Sequence, residues 1–276
     1  MSFPVKKDYY SIDMRTRSLI SMRYKEITKA VNKAFWNSES ETDHSRYVGS
    51  YGRGTAINTS DLDVLVELPA TEYVRFSENK GNGPSQLLQT VKRAVASHYA
   101  TTDMSGDGQV VVVKFSDGMR FEILPAFRGL ISMSMCMQNG NFIYPNSNMG
   151  GNWLSTNPLA EQEAMKLKDL GTNGLLKDTC KHIRYIRDTH FSSYRLSGIL
   201  IDSFIYEAIG DWHWLREGEI SYPHQPYEDM LLVQYIEKNK QFKNSIVPYL
   251  AAPGSGMVVS FDNGWEVLGK ILVKMV

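Results

Sequence analysis

Between residues 11 and about 37, apolar residues recur at Leu19, Met22, Ile27, Ala30, Val31, Ala34 and Phe35, with Lys and Arg interspersed. Spacing of three and four residues predicts a long amphipathic helix, with Ser11 as its cap. The period then changes. RYVGS is short and apolar and reads as a strand ending at Gly49, and beyond a glycine-rich turn DLDVLVEL alternates strictly. Alternation puts Asp61, Asp63, Leu65 and Glu67 on one face of a strand and Leu62, Val64, Val66 and Leu68 on the other. Pro69 ends that strand.

Helical spacing returns from 84 to about 99, where Leu87, Leu88, Val91, Ala94 and Val95 share a face after the loop GNGPSQ. QVVVVKF and MRFEILPAF flank Ser116-Asp117-Gly118, the signature of two strands joined by a short turn. Residues 132–158, rich in Asn, Gly, Ser and Met, read as a crossing loop. Residues 159–170, 175–189 and 196–209 are helical in period, as are LLVQYIEKN and GWEVLGKILVKM. The pattern predicts an α+β protein. A mixed-sheet core with a long helix ahead of it occupies 1–155, a helical lobe occupies 156–276, and the cleft between them is the expected ligand site.

Composition narrows the classes. At 42% hydrophobic and 22% charged over 276 residues, the chain has ample material for a core and is not a disordered segment. Thirty basic residues balance thirty acidic ones, so the global positive field of a nucleic-acid coat is missing and no long nucleic acid is expected. Cys136 and Cys180 form no CxxC pair and share no metal-ligand spacing with the six histidines, which argues against zinc. Both read as reduced thiols. MSFPVKKDYY lacks an apolar signal region, and no run reaches the ~18 apolar residues of a membrane span. A soluble, cytoplasmic protein without membrane contact is expected.

The carboxylates bring chemistry. Asp61 and Asp63, two apart on a strand, project from one face about 7 Å apart. Glu122, flanked by Phe121 and Ile123 on the opposite face, lies on a strand that can pair beside them. Three carboxylates brought together repel unless a cation neutralises them, and an all-oxygen ligand set suits magnesium. A pair of such ions about 3.5–4 Å apart holds the attacking and leaving oxygens of an in-line phosphoryl displacement. VGSYGRGTAI then gains a chemical role, because the amides of residues 49–52 and the Ser50 hydroxyl can approach terminal phosphates with no side chain in the way. Arg53 either contacts a phosphate or pairs with an acid. Asp117, the rival third acid, is explained by turn chemistry. His182 and His190 read as surface residues, and Trp153, Tyr194 and Tyr206 as core.

These residues carry a resemblance. VGSYGRGTAINTSDLDVLVEL resembles the nucleotidyltransferase signature, an apolar residue and G[GS] followed by D-h-[DE]-h, with h apolar and a third acid on a later strand. Ten residues separate Ser50 from Asp61, as that signature requires. With the long helix ahead of it, the stretch more narrowly resembles the bacterial cGAS/DncV-like nucleotidyltransferases (CD-NTases) of antiphage signalling. FEILPAF, IYPNSNMGGNWLSTNP and LLKDTCKHIRYIRD agree with that family, and the likeness spans residues 10 to 210.

The resemblance implies a polymerase-β-like nucleotidyltransferase core with a helical second lobe. It implies that nucleoside triphosphates are joined into a cyclic di- or trinucleotide with a pair of Mg2+ ions, Mn2+ being the substitute, and that pyrophosphate is released. The implied protein is a monomer whose product acts on a separate effector protein. Position by position, Asp61 and Asp63 would bind both metals, and Glu122 would bind one and accept the proton of the attacking ribose hydroxyl. Gly49 and Ser50 would hold the donor triphosphate, with Lys181, Arg184 and Ser197 also contacting it. The third acid is Glu here, where relatives often carry Asp. The competing readings are a transferase that modifies a protein, RNA or small-molecule acceptor, and a catalytically silent nucleotide-binding scaffold.

Overall fold

The computed structural model describes residues 2–57, 61–99, 102–129, 141–220, 226–245, 249–260 and 263–276. The chain forms two compact units. A sheet unit comprises Asp13–Gly52 and Ser60–Leu159, and a helical unit comprises Met1–Ile12, Arg53–Thr59 and Ala160–Val276. The expected split into 1–155 and 156–276 takes the chain in consecutive pieces, whereas the units interleave.

In the sheet unit, α1 (Met14–Phe35) is capped by Asp13 rather than Ser11. The Asp13 carboxylate accepts from the Thr16 amide at 2.9 Å and its hydroxyl at 2.6 Å, and a negative charge suits a helix start. Strands β1 (Ser45–Tyr47), β2 (Leu62–Glu67), β3 (Asp103–Asp107), β4 (Val110–Lys114) and β5 (Arg120–Arg128) lie in the order β1-β2-β5-β4-β3. Only β2 and β5 are parallel among these pairs, so the sheet is mixed. Helix α2 (Gly49–Arg53) lies between β1 and β2 in sequence. Pro69, read as a strand stop, is also the N-cap of α3 (Ala70–Ser77), a helix the apolar pattern did not announce. Helix α4 (Gly83–Ala96) packs with α1 and α3 and against β3 and β4 of the sheet, and its Leu87, Leu88, Val91 and Val95 are buried.

The expected crossing loop holds an antiparallel hairpin instead, β6 (Phe142–Asn146) with β7 (Asn152–Thr156), and β6 pairs with the end of β5. Its ladder hydrogen bonds outweigh an Asn- and Ser-rich sequence that lacks a clean period. Residues 132–140 of that loop, with Cys136, lie outside the described residues.

The helical unit contains α5 (Pro158–Gly171), α6 (Leu175–His190), α7 (Gly198–Ala208), α8 (Tyr227–Asn244) and α9 (Gly264–Met275), with a short β8 (Leu250–Ala251) and β9 (Val258–Val259) pair. Its core joins Leu176, Ile183, Ile201, Phe204, Leu268 and Ile271. The N-terminal arm belongs here because its polar groups find partners here. Phe3 bonds to Met275 across backbone, and the Val5 amide reaches Glu228 at 2.8 Å. His182, expected on the surface, is 2% exposed under this arm. Its Nε2 donates to the Phe3 carbonyl at 2.9 Å and its Nδ1 accepts from the Tyr10 hydroxyl at 3.0 Å. That is the bonding of a neutral imidazole, and burial lowers its pKa accordingly. Among the described residues no helix is long and apolar enough to cross a membrane.

Candidate active site

The glycine-rich stretch is a short helix rather than a flexible turn. Val48 donates to the Asp63 carbonyl and Gly52 donates to the Val48 carbonyl, both at 2.9 Å, so α2 is hung directly on β2. Gly49, with φ +58°, makes the reversal. A Cβ at this position would lie 1.8 Å from Oδ2 of Asp63, so only glycine fits both the dihedral and the space. The Asp63 carboxylate therefore rests against the Gly49 backbone, and Ser50 follows on the first turn of α2.

Parallel pairing of β2 with β5 makes Asp63 and Glu122 register partners, so their side chains leave the sheet on one face. Asp61, exposed, directly precedes β2. Two residues on, the same face of β2 changes character: Leu65 is fully buried with Val48, Ala126 and Phe142. Beyond it Glu67 is paired with Arg128 at 2.9 Å, so the candidate acids of β2 lie at the N-terminal end of the strand.

Glu122 is part-buried, and its Oε1 accepts from Nη2 of Arg120 at 2.5 Å. Burial pushes its carboxyl above the ordinary range; Arg120 pulls it back, and the charges of Asp61 and Asp107 push it up again. Burial and two neighbouring acids thus act on Glu122 against the guanidinium that pairs with it. The donor set of Asp61, Asp63 and Glu122 is all hard oxygen and fits a divalent cation of the magnesium class. Among the described residues, however, no three His, Cys, Asp or Glu side chains are already arranged as a metal cage. Arg120, two residues ahead of Glu122 in strict alternation, was visible in MRFEIL but carries no motif that singles it out.

The remaining expected ligands lie in the helical unit. Lys181 is half-buried on α6, and Ser197 is the exposed N-cap of α7, its hydroxyl accepting from the Leu200 amide at 3.4 Å. Arg184 departs from the expectation of a phosphate ligand. It is 1% exposed, and its Nη atoms donate to Asp202 Oδ1 (2.7 Å) and Oδ2 (2.9 Å), the Cys180 carbonyl and the Gly198 carbonyl. A buried guanidinium with four such bonds is committed to structure, and here it holds the start of α7 beside Ser197. Arg53, undecided from sequence, pairs with Asp202 at 2.8 Å and Glu161 at 2.9 Å. Thr55 also donates to Asp202, at 3.0 Å.

Known proteins share this architecture. Residues 7–169, more than half of the chain, match the model of the Second Messenger Oligonucleotide or Dinucleotide Synthetase (SMODS) domain. No curated protein sequence matches. Among solved structures, the fold resembles the Elizabethkingia meningoseptica CdnE cyclic dinucleotide synthase with GTP and Apcpp, at 15% identity and TM-score 0.62, over 95% of this chain and 91% of that one. It also resembles the Rhodothermus marinus CdnE c-UMP-AMP synthase with Apcpp and Upnpp, at 14% identity and TM-score 0.60, over 97% and 91%. A third likeness is the E. coli MS115-1 CdnC in its HORMA complex, at 10% identity and TM-score 0.62, over 97% and 85%.

Proposed function

This chain belongs to the SMODS domain family, nucleotidyltransferases of polymerase-β-like fold, and from that premise we propose that it joins nucleoside triphosphates into a cyclic di- or trinucleotide. The observation that carries the reading is the packing of the Gly49 backbone on the Asp63 carboxylate, with Asp63 in register with Glu122. A phosphate-approachable backbone and two acids are thereby brought to one end of one strand pair. Solved relatives of similar fold hold GTP or nucleotide analogues, which supports triphosphates as the substrates.

In this proposal Asp61, Asp63 and Glu122 hold a pair of magnesium ions, and Gly49 and Ser50 hold the donor's β and γ phosphates. When bound, the ions offset charge on the attacking and leaving oxygens. A ribose hydroxyl oxygen of the acceptor bonds to the donor's α-phosphorus, the bond to the β-phosphate oxygen breaks, and pyrophosphate leaves. Glu122 takes the hydroxyl proton as the general base. A second transfer within the linear intermediate closes the ring. Ser197 and Lys181 are assigned to the triphosphate as well, while Arg184 supports the turn that presents Ser197. The product is read by a separate effector protein, in keeping with a second-messenger family, and we assign the system to antiphage defence on the CD-NTase resemblance.

Mass spectrometry after incubation with all four triphosphates and Mg2+, with no macromolecular acceptor, tests this reading. A cyclic, phosphatase-resistant oligonucleotide is expected. Label found instead on protein or RNA, with no small product, would overturn it in favour of an acceptor-modifying transferase.

A further inference from the structure

We propose that Arg120 is a built-in counter-ion for Glu122, a latch that occupies the third acid until a divalent cation displaces it. The inference rests on the metal reading of the acid face given above. Arg120 and Glu122 are two apart on β5 and therefore share a face, and the guanidinium closes on Oε1 at 2.5 Å. Their side chains are 35% and 24% exposed, so the pair is partly withdrawn from solvent, and its attraction is stronger than that of a fully exposed pair.

The pairing is incomplete in a telling way. Arg120 Nε is buried without a hydrogen-bond partner among the described residues, which leaves one donor of the guanidinium unsatisfied in this position. Arginine stays charged throughout the physiological range, so Glu122 has an answering charge while no metal is bound. Yet one unit charge faces Glu122 with Asp61 and Asp107 acting on it, whereas a divalent ion brings two. Binding of the ion requires Arg120 to yield, and the apparent metal affinity is lowered by the fraction of molecules in which it has not. Arg120 is a positioning residue: it sets when Glu122 is available.

Mn2+ binding, followed by the electron-paramagnetic signal of the free ion, separates the latch from the site. Arg120→Gln should bind Mn2+ about threefold or more tightly than wild type, the scale of losing a unit charge near a protein surface. In EDTA the same variant should melt at a lower temperature than wild type and gain more from added Mn2+. Arg120→Lys, which keeps the charge, should behave like wild type. Lys114→Gln removes an equal charge from the register partner of Arg120 on β4, and since Lys114 does not touch Glu122 its effect should be smaller than that of Arg120→Gln. Unchanged or weaker Mn2+ binding by Arg120→Gln, or equal effects of the two Gln variants, would overturn the latch. Undiminished binding by the Asp61→Asn/Asp63→Asn double variant would overturn the metal reading itself. Should Arg120→Gln fail to fold, the Arg120 side-chain Nε–H resonance of the wild-type protein, assigned by its absence from Arg120→Lys, must shift on Mg2+ addition; a resonance that does not move rejects the proposal.

Discussion

Asp202 in the helical unit and Glu122 in the sheet unit are both carboxylates bonded to arginine, but their surroundings lead to opposite uses. Asp202 is completely buried and receives Arg184 twice, Arg53 once and Thr55 once, so both oxygens are bonded and two guanidiniums answer its charge. Glu122 is part-exposed, has one guanidinium, and lies near other acids. A satisfied buried ion network is a structural element whose disruption leaves uncompensated charge. A part-exposed carboxylate with other acids near it is open to a cation. The lesson is that charge type and even arginine pairing do not distinguish scaffold from site; completeness of compensation does.

Removing charge from each side should break the molecule differently. Asp202→Asn leaves two buried guanidiniums short of a counter-charge and should cost about 3–5 kcal/mol of stability by urea unfolding. Asp61→Asn/Asp63→Asn should leave melting unchanged or slightly raised while lowering turnover about 10^3-fold, the several kcal/mol that metal-held charge supplies. If the first variant unfolds no more easily than the second, the contrast fails. Gly49→Ala forces a Cβ into the Asp63 carboxylate at a left-handed φ. A displacement of about 1 Å should reduce turnover about 10^2-fold.

Acid titration sharpens the contrast. Burial opposes ionisation of Asp202, but Arg184 and Arg53 outweigh it and hold the carboxyl at about 2, below the ordinary 3.8. The folded pKa is depressed, so this stabilisation is complete above the ordinary value and is lost as pH falls through about 2, by about 2 kcal/mol in total. Glu161 runs the other way: burial outweighs Arg53 and raises its pKa above 4.5. Its protonation on the approach to that value favours the folded state. Stability should therefore hold or rise as pH falls to about 4 and decline below it, and Asp202→Asn should flatten the decline. The smallest effect belongs to Ser197→Ala, a lost helix cap costing about 1 kcal/mol. A rise in KM for triphosphate beyond that small destabilisation would support its assignment to phosphate.

Much of the acid face was legible because it depends on local periodicity. Strict alternation in DLDVLVEL and FEIL fixes which side chains share a face, and the parallel register of β2 and β5 then brings Asp63 opposite Glu122. The helical network was not legible for the converse reason. Arg53 meets acids 108 and 149 residues away, and no short-range pattern encodes such partners. Arg184 and His182 stand at polar positions of an amphipathic helix, which predicts exposure until the N-terminal arm and α7 cover them. Helix α2, with two glycines in five residues, has poor intrinsic propensity, and its form comes from the anchoring of Val48 on the Asp63 backbone.

The most direct measurement compares wild type with Asp61→Asn/Asp63→Asn in triphosphates labelled at the α-phosphate, with Mg2+, and counts phosphatase-resistant small product. The account predicts product from the wild type and about 10^3-fold less from the double variant, both folded. Equal product from the two, or wild-type label confined to protein or RNA, would contradict the claim that this acid face is a second-messenger synthase centre.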